Sequence, residues 1–532
     1  MRGTRRELLA TFLGTAVAAG CRRRAPEASW DVDLAPDFSE RAHRYLRPPA
    51  SAVAGAVTEE VRCRVLVVGG GVTGLTAAWT LGRAGQGDVV VLELGDAAGG
   101  TASYGQTEAS AYPYAAHYVP APTDENGDLV ALLEEMGLVE GRGPEGIEWA
   151  EEALCATPKE RVFHNGVWQP GLLPRLGETA AEAEELARFE AEVARWIIYR
   201  DADGRRAFTL PLAHGSDAPE VRALDELSFA EWLDRHGFRS PRIRWYAEYG
   251  CRDDFGASLA DTSAYFGLHY LCARTPGPED ESAEFLTWPE GNGRVVKHLV
   301  SRVGAARIRA KQVVLQVAPV EGGAAVVAVD GESGVTRRYR AERVIFALPS
   351  YVRRHVVPGA PAYAPTYAPW LVANVHLSRR PRYYGSEVAW DNVIYDSRSL
   401  GYVVATHQSG PRVGPTVWTW YLPLIGEAKA EREKLFALDA REASDLVVAE
   451  LDRTHIGLQA ALRRVELRRW GHGMVRPEPG TRFSRERAQA ALPFGPIHFA
   501  HTDLSGVALI EEAVFHGVRA AREVLAALGS GA

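Results

Sequence analysis

Cysteine, methionine and lysine are all scarce in this sequence of 532 residues. It contains five cysteines and three methionines, and only five of its 60 basic residues are lysines. No two cysteines form a CxxC pair and no Cys/His spacing is typical of a metal site, so we predict no bound metal. A disulfide framework is not indicated either, and buried free thiols are expected at Cys63, Cys155, Cys251 and Cys272.

Long hydrophobic runs and a strong excess of one charge are also missing. Hydrophobic residues make up 46% and charged residues 24% of the chain, which excludes a disordered chain, a fibre and a multi-span membrane protein. The formal net charge is -8, so the strongly basic surface of a nucleic-acid-binding domain is not expected. The length predicts about two to four domains, or one large interleaved unit.

The first residues resemble an export signal. Arg5 and Arg6 form a basic start, and the apolar stretch that follows is too short to span a bilayer. The string TRRELL is similar to a twin-arginine signal, and AAGC is similar to a lipobox whose cysteine is lipidated. We therefore predict a signal over residues 1–20, a tether over residues 21–60, and a periplasmic or cell-surface lipoprotein anchored to the lipid bilayer through Cys21. An ordinary buried N-terminal helix is the alternative.

A glycine-rich turn between two predicted strands is the strongest local motif. Residues 62–68 form an apolar run, which is followed by GGGVTG, a helical stretch and a second apolar run that ends in an acid. Glycines in this order permit a tight turn and a close approach of the backbone to a pyrophosphate, which the helix N-terminus favours. The acid can accept the ribose hydroxyls of an adenosine. The predicted dinucleotide contacts are Gly69, Gly71, Val72, Thr73, Gly74 and Glu93.

A second glycine turn favours FAD over NAD. Gly99, Gly100 and Thr101 can pass close to the pyrophosphate and the flavin. No second GxGxxG follows in the sequence, so a separate nicotinamide domain is not expected. An NAD-dependent dehydrogenase is the alternative, and it would have to exchange its cofactor.

The end of the chain completes the pattern. Residues 494–528 predict a short strand, a polar turn and a helix with small residues on one face. Together with the glycine turn, this segment resembles the flavin-containing amine oxidoreductase superfamily, which includes monoamine, polyamine and protoporphyrinogen oxidase-like enzymes. The resemblance implies an α/β fold, in which a Rossmann-like FAD-binding domain is interleaved with a mixed α+β substrate domain. It also implies a flavin contact at Asp503, or alternatively at Thr502, and a helix start at Ile510 that faces the flavin ring.

Internal segments resemble the same superfamily. Residues 114–119 are similar to a segment that lines the flavin, and residues 288–293 to a glycine turn before a helix. Residues 344–349 are similar to a returning strand. The strand paired with it, which contains Val314, would clamp the adenine with its backbone.

Two features of the superfamily are missing. Many amine oxidases hold a lysine that binds a water at flavin N5, but the corresponding strand, residues 371–377, has no lysine. This favours a dehydrogenase or an unusual oxidase, and it leaves either oxygen or a redox partner as the electron acceptor. Some relatives link the flavin to a cysteine near the last motif, but no cysteine follows Cys272. We therefore expect non-covalent FAD.

The predicted domains are discontinuous. The substrate domain contains an Ala/Glu/Arg-rich helical subdomain over residues 175–235 and a β-rich, aromatic part over residues 365–425. The predicted boundaries are 61–155, 285–350 and 470–530 for the FAD-binding domain, and 156–284 and 351–469 for the substrate domain.

Two histidines rank first as catalytic candidates. His117 follows the second glycine turn and should lie near the flavin, although a structural hydrogen-bonding role is equally open. His472 should approach the substrate from the C-terminal side. Trp418 and Trp420 share one face of a strand, so they could stack on a substrate or pack in the core. The carboxylates of residues 253–254 could recognise a cation or cap a helix.

The resemblance implies an enzyme that takes a hydride from a C–H bond of a small-molecule substrate, with an amine as the leading candidate. Two alternatives stay open at this point. One is a flavin-dependent desaturase or oxidase of an isoprenoid or porphyrin-like substrate, which a long apolar pocket would favour. The other is a non-enzymatic flavoprotein at the membrane surface.

Overall fold

The structure is a computed structural model, and it describes residues 30–36, 38–47, 57–144, 146–275, 284–408 and 413–529. The predicted signal and Cys21 lie outside the described residues. Within the described residues, no helix is both long enough and apolar enough to cross a membrane.

Most strands belong to two large sheets. The strands in chain order are β1 Asp31–Leu34, β2 Val57–Val68, β3 Val89–Leu92, β4 Tyr104–Gln106, β5 Ala111–Pro113, β6 Tyr118–Pro120, β7 Val139–Gly143, β8 Gly146–Trp149, β9 Glu160–His164, β10 Val167–Pro170, β11 Phe285–Thr287, β12 Ile308–Arg309, β13 Gln312–Val320, β14 Gly323–Asp330, β15 Thr336–Phe346, β16 Tyr367–Leu377, β17 Asp391–Ile394, β18 Gly401–Val404, β19 Thr416–Pro423, β20 Leu462–Val475 and β21 Ile497–Phe499.

Helices cover both sheets and form a separate helical layer. In chain order they are α1 Phe38–Leu46, α2 Val72–Arg83, α3 Gly127–Glu135, α4 Ala180–Ile198, α5 Pro219–Leu224, α6 Phe229–Arg235, α7 Pro241–Phe255, α8 Ala264–Cys272, α9 Gly293–Val303, α10 Ser350–Val356, α11 Ala428–Ala437, α12 Ala440–Thr454, α13 Leu458–Ala461, α14 Arg485–Ala490 and α15 Ile510–Ala527. The helices expected over residues 175–235 are α4, α5 and α6.

The first sheet has the strand order β12-β3-β2-β15-β14-β13, with β21 paired to β15. Strand β2 runs parallel to β3 and to β15, so their carboxyl ends lie at one edge. Helix α15 packs on α2 so closely that a Cβ added at Gly517 would lie 2.6 Å from the carbonyl oxygen of Thr73. The two ends of the chain therefore meet beside the glycine turn, as the Rossmann-like prediction requires.

The second sheet has the order β1-β20-β16-β19-β18-β17-β9-β10. Strand β16 lies at its centre, antiparallel to both β19 and β20. Trp418 and Trp420 are 1% and 0% exposed in β19, and the Trp418 ring stacks on Tyr402 with centroids 4.2 Å apart. Of the two roles considered for these tryptophans, core packing is the one that the structure supports.

Two predicted boundaries need correction. The expected tether of residues 21–60 includes β1, which pairs in parallel with β20, and α1, which packs on β13 and β14. The order of this segment depends on packing against β20, β13 and β14, which are distant from it in the sequence. The predicted boundary at residue 470 falls inside β20, because this strand continues to Val475 as part of the second sheet.

The four cysteines within the described residues are free and buried. Burial raises the pKa of the Cys63 thiol to about 12 and that of the other three further. These thiols are therefore protonated at neutral pH and behave as apolar side chains.

Candidate active site

The glycines of the turn between β2 and α2 have different structural roles. Gly69 has a φ of 111°, and a Cβ there would lie 2.7 Å from the carbonyl oxygen of Ala347 on the neighbouring chain segment. At Gly74 a Cβ would lie only 1.9 Å from the Gly69 carbonyl oxygen, so the helix can approach the strand only without a side chain. A Cβ at Gly71 would meet nothing within 4 Å. Gly71 thus faces the space in which a pyrophosphate would lie.

Glu93 directly follows β3, next to this turn. Its carboxylate accepts hydrogen bonds from the backbone N–H groups of Gly70 at 2.9 Å and Gly95 at 2.6 Å. Burial raises the pKa of Glu93 above its usual value, although these backbone hydrogen bonds oppose the effect. A carboxylate can accept about four hydrogen bonds, so Glu93 keeps acceptor capacity for a ribose hydroxyl beside its backbone donors.

The second glycine turn lies against the first. The N–H of Gly99 donates to the Gly70 carbonyl oxygen at 2.9 Å, and Gly71 and Gly99 form an isolated parallel bridge. Gly100 has a φ of 58° and is exposed, as is Thr101 after it. Two turns that present backbone rather than side chains therefore border one space, which suits a dinucleotide pyrophosphate.

A β-bulge marks the expected adenine strand. The register of β13 against β14 shifts between Val314 and Gln316, so the backbone of Leu315 is left out of the ladder. Val314 itself is 8% exposed. Free backbone groups at this point match the predicted backbone clamp on an adenine, and together with the turns they fit an FAD-shaped ligand.

The Asp503 carboxylate is engaged by protein partners. Its Oδ2 accepts hydrogen bonds from the backbone N–H of Ser350 at 2.7 Å and from the hydroxyl of Tyr367, and its Oδ1 lies 3.0 Å from Nδ1 of His501. Burial alone would raise the pKa of Asp503, but these partners outweigh it and lower the pKa. Asp503 is 1% exposed and joins α10 to β16. Thr502, which is half-buried, is therefore the better candidate for the cofactor contact.

The helix that begins at Ile510 carries no side-chain cap at its N-terminus. Ile510 is half-buried, and the next two residues, Glu511 and Glu512, are buried in the first turn. The uncapped backbone N–H groups are available to an electron-rich ligand atom, as expected for a helix start that faces a flavin ring.

His117 lies against three aromatic rings, which we name the aromatic wall: Tyr118, Trp390 and Tyr421, with centroids 5.2, 5.3 and 4.9 Å from the imidazole. Its Nδ1 lies 3.1 Å from the carbonyl oxygen of Ala115. Burial lowers the pKa of His117 to about 4, so the ring is neutral at pH 7. If Nδ1 donates to Ala115, Nε2 is left as a hydrogen-bond acceptor.

His472 lies in another aromatic cluster. It stacks on Tyr351 with centroids 4.1 Å apart and contacts the edge of Tyr367 at 5.5 Å. Burial, with a contribution from Arg432, lowers the pKa of His472 to about 4. Among the described residues, no ring contact joins His472 to the aromatic wall. The structure thus groups His472 with the Asp503 network and does not bring it to His117.

Three carboxylates converge near the aromatic wall, and we name them the acidic cluster: Glu160, Asp253 and Asp391. Asp391 is the direct register partner of Glu160 in the parallel pair β17–β9. Asp253 projects from α7. Burial is the largest cause of the raised pKa of Asp391, and the charge of Asp253 is the next largest. The hydroxyl of Tyr249 donates to Asp391 at 3.1 Å.

The acidic cluster is half-buried and strongly perturbed. Burial raises the pKa of all three carboxyls, and that of Asp253, with help from Asp254, reaches about 8. Burial raises the pKa of Tyr421, and the charges of Asp391 and Asp253 raise it further. The acidic cluster therefore lies beside the aromatic wall.

Arg274 forms a buried ion network beside Tyr118 of the aromatic wall. Arg274 donates to the Tyr118 hydroxyl at 2.9 Å and pairs with Asp254 at 3.3 Å and Glu511 at 3.6 Å. Two carboxylates thus share one guanidinium, which leaves little positive charge for the acidic cluster.

The sequence profile of the flavin-containing amine oxidoreductase family matches residues 72–525. This span covers most of the chain, from the start of α2 through the second glycine turn into the final helix. The chain belongs to this family. As a flavin-containing amine oxidoreductase it is an FAD-dependent oxidoreductase, and the cradle described above fits that cofactor.

Individual relatives are distant. The chain is 24% identical to an oxidoreductase, PigB, from Serratia over 87% of its length and 75% of the relative. It is 25% identical to a Mycobacterium tuberculosis protein designated flavin-containing monoamine oxidase AofH, over 87% and 97%. An L-amino acid dehydrogenase from Synechocystis is 24% identical, over 59% of this chain but only 61% of that protein.

Solved structures share the fold. Putrescine oxidase bound to putrescine superposes with a TM-score of 0.63 at 18% identity, covering 88% of this chain and all of that one. Cyclohexylamine oxidase from Brevibacterium oxydans gives 0.61 at 17% identity, over 88% and 99%. The predicted two-domain α/β fold is thereby confirmed.

Sequence reasoning found the cofactor cradle but missed much of the substrate side. Asp253 was a candidate because it lies in a run of charged residues beside aromatic ones. Glu160 and Asp391 were not, although an acid at the start of a predicted strand is unusual and could have been noticed. The sequence does not distinguish Trp390 and Tyr421 from the many other aromatic residues of the same β-rich segments.

Replacing Gly71 with alanine should remove bound FAD without unfolding the protein. Gly71 has φ -73° and ψ 179°, which alanine adopts readily, and its Cβ would meet no protein atom within 4 Å. The methyl group would instead enter the pyrophosphate space, so we expect FAD affinity to fall at least about tenfold. Flavin absorbance after gel filtration and the thermal unfolding of the apoprotein check both points.

Gly74→Ala is the matched control, since its Cβ would clash with the Gly69 carbonyl oxygen at 1.9 Å. This variant should lose stability as well as flavin. A Gly71→Ala protein that keeps FAD at the wild-type affinity would show that the pyrophosphate lies elsewhere.

Proposed function

We propose that the substrate of this FAD-dependent oxidoreductase is an amine that carries a second cationic group. The observation that carries the proposal is the acidic cluster beside the aromatic wall. An enclosed carboxylate is destabilised unless a cation or several hydrogen bonds compensate it. Three such groups in one place favour a ligand with more than one positive charge.

The protein itself supplies little compensation. Lys159 acts on Glu160 electrostatically, but burial still raises the pKa of Glu160. Arg274 acts on Asp253, yet it is engaged by Asp254 and Glu511. A dicationic amine would satisfy the carboxylates, whereas an amino acid would bring a carboxylate of its own. An isoprenoid would leave all three uncompensated, which disfavours the desaturase alternative.

The chain's residues have defined tasks in such a reaction. Bound flavin supplies the acceptor for a hydride from the C–H bond next to the substrate nitrogen. Tyr118, Trp390 and Tyr421 can exclude water and contact a cation through their ring faces. Neutral His117 can accept a hydrogen bond through Nε2 from the reacting amine, which must be uncharged before it gives up the hydride. The acidic cluster holds the distant cationic group and so fixes which carbon is presented.

The names of similar proteins are consistent with an amine substrate but differ in the kind of amine. Putrescine oxidase was solved with putrescine, a diamine, whereas another relative is named an L-amino acid dehydrogenase. The acidic cluster favours the first kind of substrate. Strand β16 has no lysine, which supports electron transfer to a redox partner instead of oxygen.

We also propose that the protein is exported by the twin-arginine route and anchored to the outer face of a membrane through lipidated Cys21. The supporting observations are the paired Arg5 and Arg6, the apolar stretch after them and the AAGC string. Export of a folded protein suits a cofactor that is bound non-covalently.

Anaerobic titration should show that diamines bleach the flavin absorbance at lower concentration than monoamines of equal chain length. In Asp391→Asn the difference should shrink, with diamine affinity reduced about tenfold, because one carboxylate of the cluster is lost. Asp396→Asn, which removes an exposed carboxylate close in sequence, is the control and should behave as wild type. Bleaching by monoamines or amino acids as readily as by diamines would contradict the proposed substrate.

The affinity for a dicationic amine should increase with pH. The pKa of Asp253 is raised to about 8 by burial and by Asp254, so this carboxyl is mostly protonated at neutral pH. A cation binds better to the ionised form, and binding should tighten from about pH 6 to a plateau above about pH 9, one unit above this pKa. Asp253→Asn should flatten this profile. The substrate amine, with a pKa near about 10, stays charged over the range.

The same shift gives a stability test that needs no substrate. Since the folded-state pKa of Asp253 is raised, its contribution favours folding below the usual aspartate pKa and is lost as pH rises to about 8. Asp253→Asn should therefore lose less stability than wild type between about pH 4 and about pH 8. Equal pH profiles of thermal unfolding for the two proteins would contradict the assigned pKa.

Export and anchoring can be tested by cell fractionation. The wild-type chain should appear in the membrane fraction and be released by detergent, whereas Cys21→Ala should be soluble outside the cytoplasm. Replacing Arg5 and Arg6 with lysines should retain the protein in the cytoplasm. A Cys21→Ala protein that stays in the membrane fraction would contradict a lipid anchor at this residue.

A further inference from the structure

The N-terminal segment connects the two sheets, and we name Asp31–Leu34 and Phe38–Leu46 together the strap. At its start, β1 extends the second sheet in parallel with β20, with Val32 opposite Val465. The N–H of Ala35 donates to the Leu467 carbonyl oxygen at 2.8 Å, which continues this pairing. The strap is therefore fixed to the substrate domain before it reaches the first sheet.

The helix of the strap packs beside the strand that is expected to bind the adenine. Ala42, Tyr45 and Leu46 pack against the small apolar cluster on β13 and β14 that includes Leu315. Leu315 is the residue at the bulge, where the free backbone groups match an adenine clamp. Leu94, the residue after Glu93, packs into the same cluster.

Arg41 ties the strap to the loop that follows Glu93. Its Nη1 donates to the Leu94 carbonyl oxygen at 2.6 Å, and its Nη2 donates to Oδ1 of Asp96 at 2.9 Å. Between these two acceptors lies Gly95, whose N–H holds Oε1 of Glu93 at 2.6 Å. The ring of Phe38 covers the same glycine, because a Cβ added at Gly95 would lie 3.7 Å from it.

We propose that Arg41 is a positioning residue for FAD: through the Leu94–Asp96 loop it holds the Glu93 carboxylate in place for the adenosine ribose, and the strap must loosen before the cofactor can leave. On the other side, the loop is bound by the first sheet, where the N–H of Lys311 donates to the Gly95 carbonyl oxygen at 2.9 Å. Arg41 supplies the second point of attachment. An ordered loop binds its ligand without the entropic cost of ordering it, so the attachment slows release.

The proposal concerns the cofactor and does not depend on which amine is oxidised. Asp96 is 54% exposed, and its ion pair with Arg41 is weak for that reason. The hydrogen bond to the Leu94 carbonyl oxygen is the stronger contact, since it is charge-assisted and better shielded.

The test is the rate at which FAD leaves the full-length holoprotein, followed by the rise in flavin fluorescence after dilution. Arg41→Ala should release FAD about five to ten times faster than wild type. Arg41→Lys keeps the positive charge but not the two N–H groups that bind Leu94 and Asp96, so its release rate should lie between those of Arg41→Ala and wild type. Arg44→Ala changes an exposed arginine of the same helix and should release FAD at the wild-type rate.

The melting temperature of the apoprotein separates positioning from general stability. Faster FAD release in Arg41→Ala, with an apoprotein that melts within about 2 °C of wild type, would support the proposal. Unchanged release would overturn it. A fall in apoprotein melting temperature as large as the fall in the holoprotein would also overturn it, because Arg41 would then stabilise the fold alone.

Discussion

The close approach of α2 to β2 is the contact on which the rest of the site depends. A Cβ at Gly74 would lie 1.9 Å from the carbonyl oxygen of Gly69, so no other residue allows the helix to begin so near the strand. Because α2 begins there, its N-terminus, the second glycine turn and Glu93 border one space. The other end of the chain also contacts α2, because Gly517 allows α15 to pack against that helix. Cofactor site and domain core are thus made by the same packing.

On the substrate side, the buried carboxylates of the acidic cluster destabilise the folded protein. Glu160, Asp253 and Asp391 would each be better solvated in an unfolded chain, and burial raises the pKa of all three. A fold selected for stability alone would place neutral residues there. This energetic conflict lies where β9, β17 and α7 face the aromatic wall, which is where a cation would relieve it.

The sequence predicts the cofactor side well because that side is built from local motifs. Each glycine turn and the strand before it lie within a few residues, and their spacing carries the geometry. The sequence leaves the choice between Asp503 and Thr502 open, because the contacts of Asp503 to Ser350 and Tyr367 join residues far apart in the chain. The sequence predicts a tether where the strap lies, because the order of the strap comes from β20, more than 400 residues away in the chain. Asp391 and Glu160 also meet only through sheet pairing, which no short motif encodes.

That sheet pairing is itself fixed by a buried cation. Arg161 follows Glu160 and points to the opposite face of β9, where it is 0% exposed. Its Nε donates to Oδ1 of Asn392, its register partner in β17, at 2.5 Å. Its guanidinium also lies 3.9 Å from the centroid of the Trp168 ring. A slip of one residue would break these contacts and turn Asp391 away from Glu160. The same pair of strands therefore carries the structural cation on one face and the acidic cluster on the other, and the register that satisfies Arg161 is the one that brings the carboxylates together.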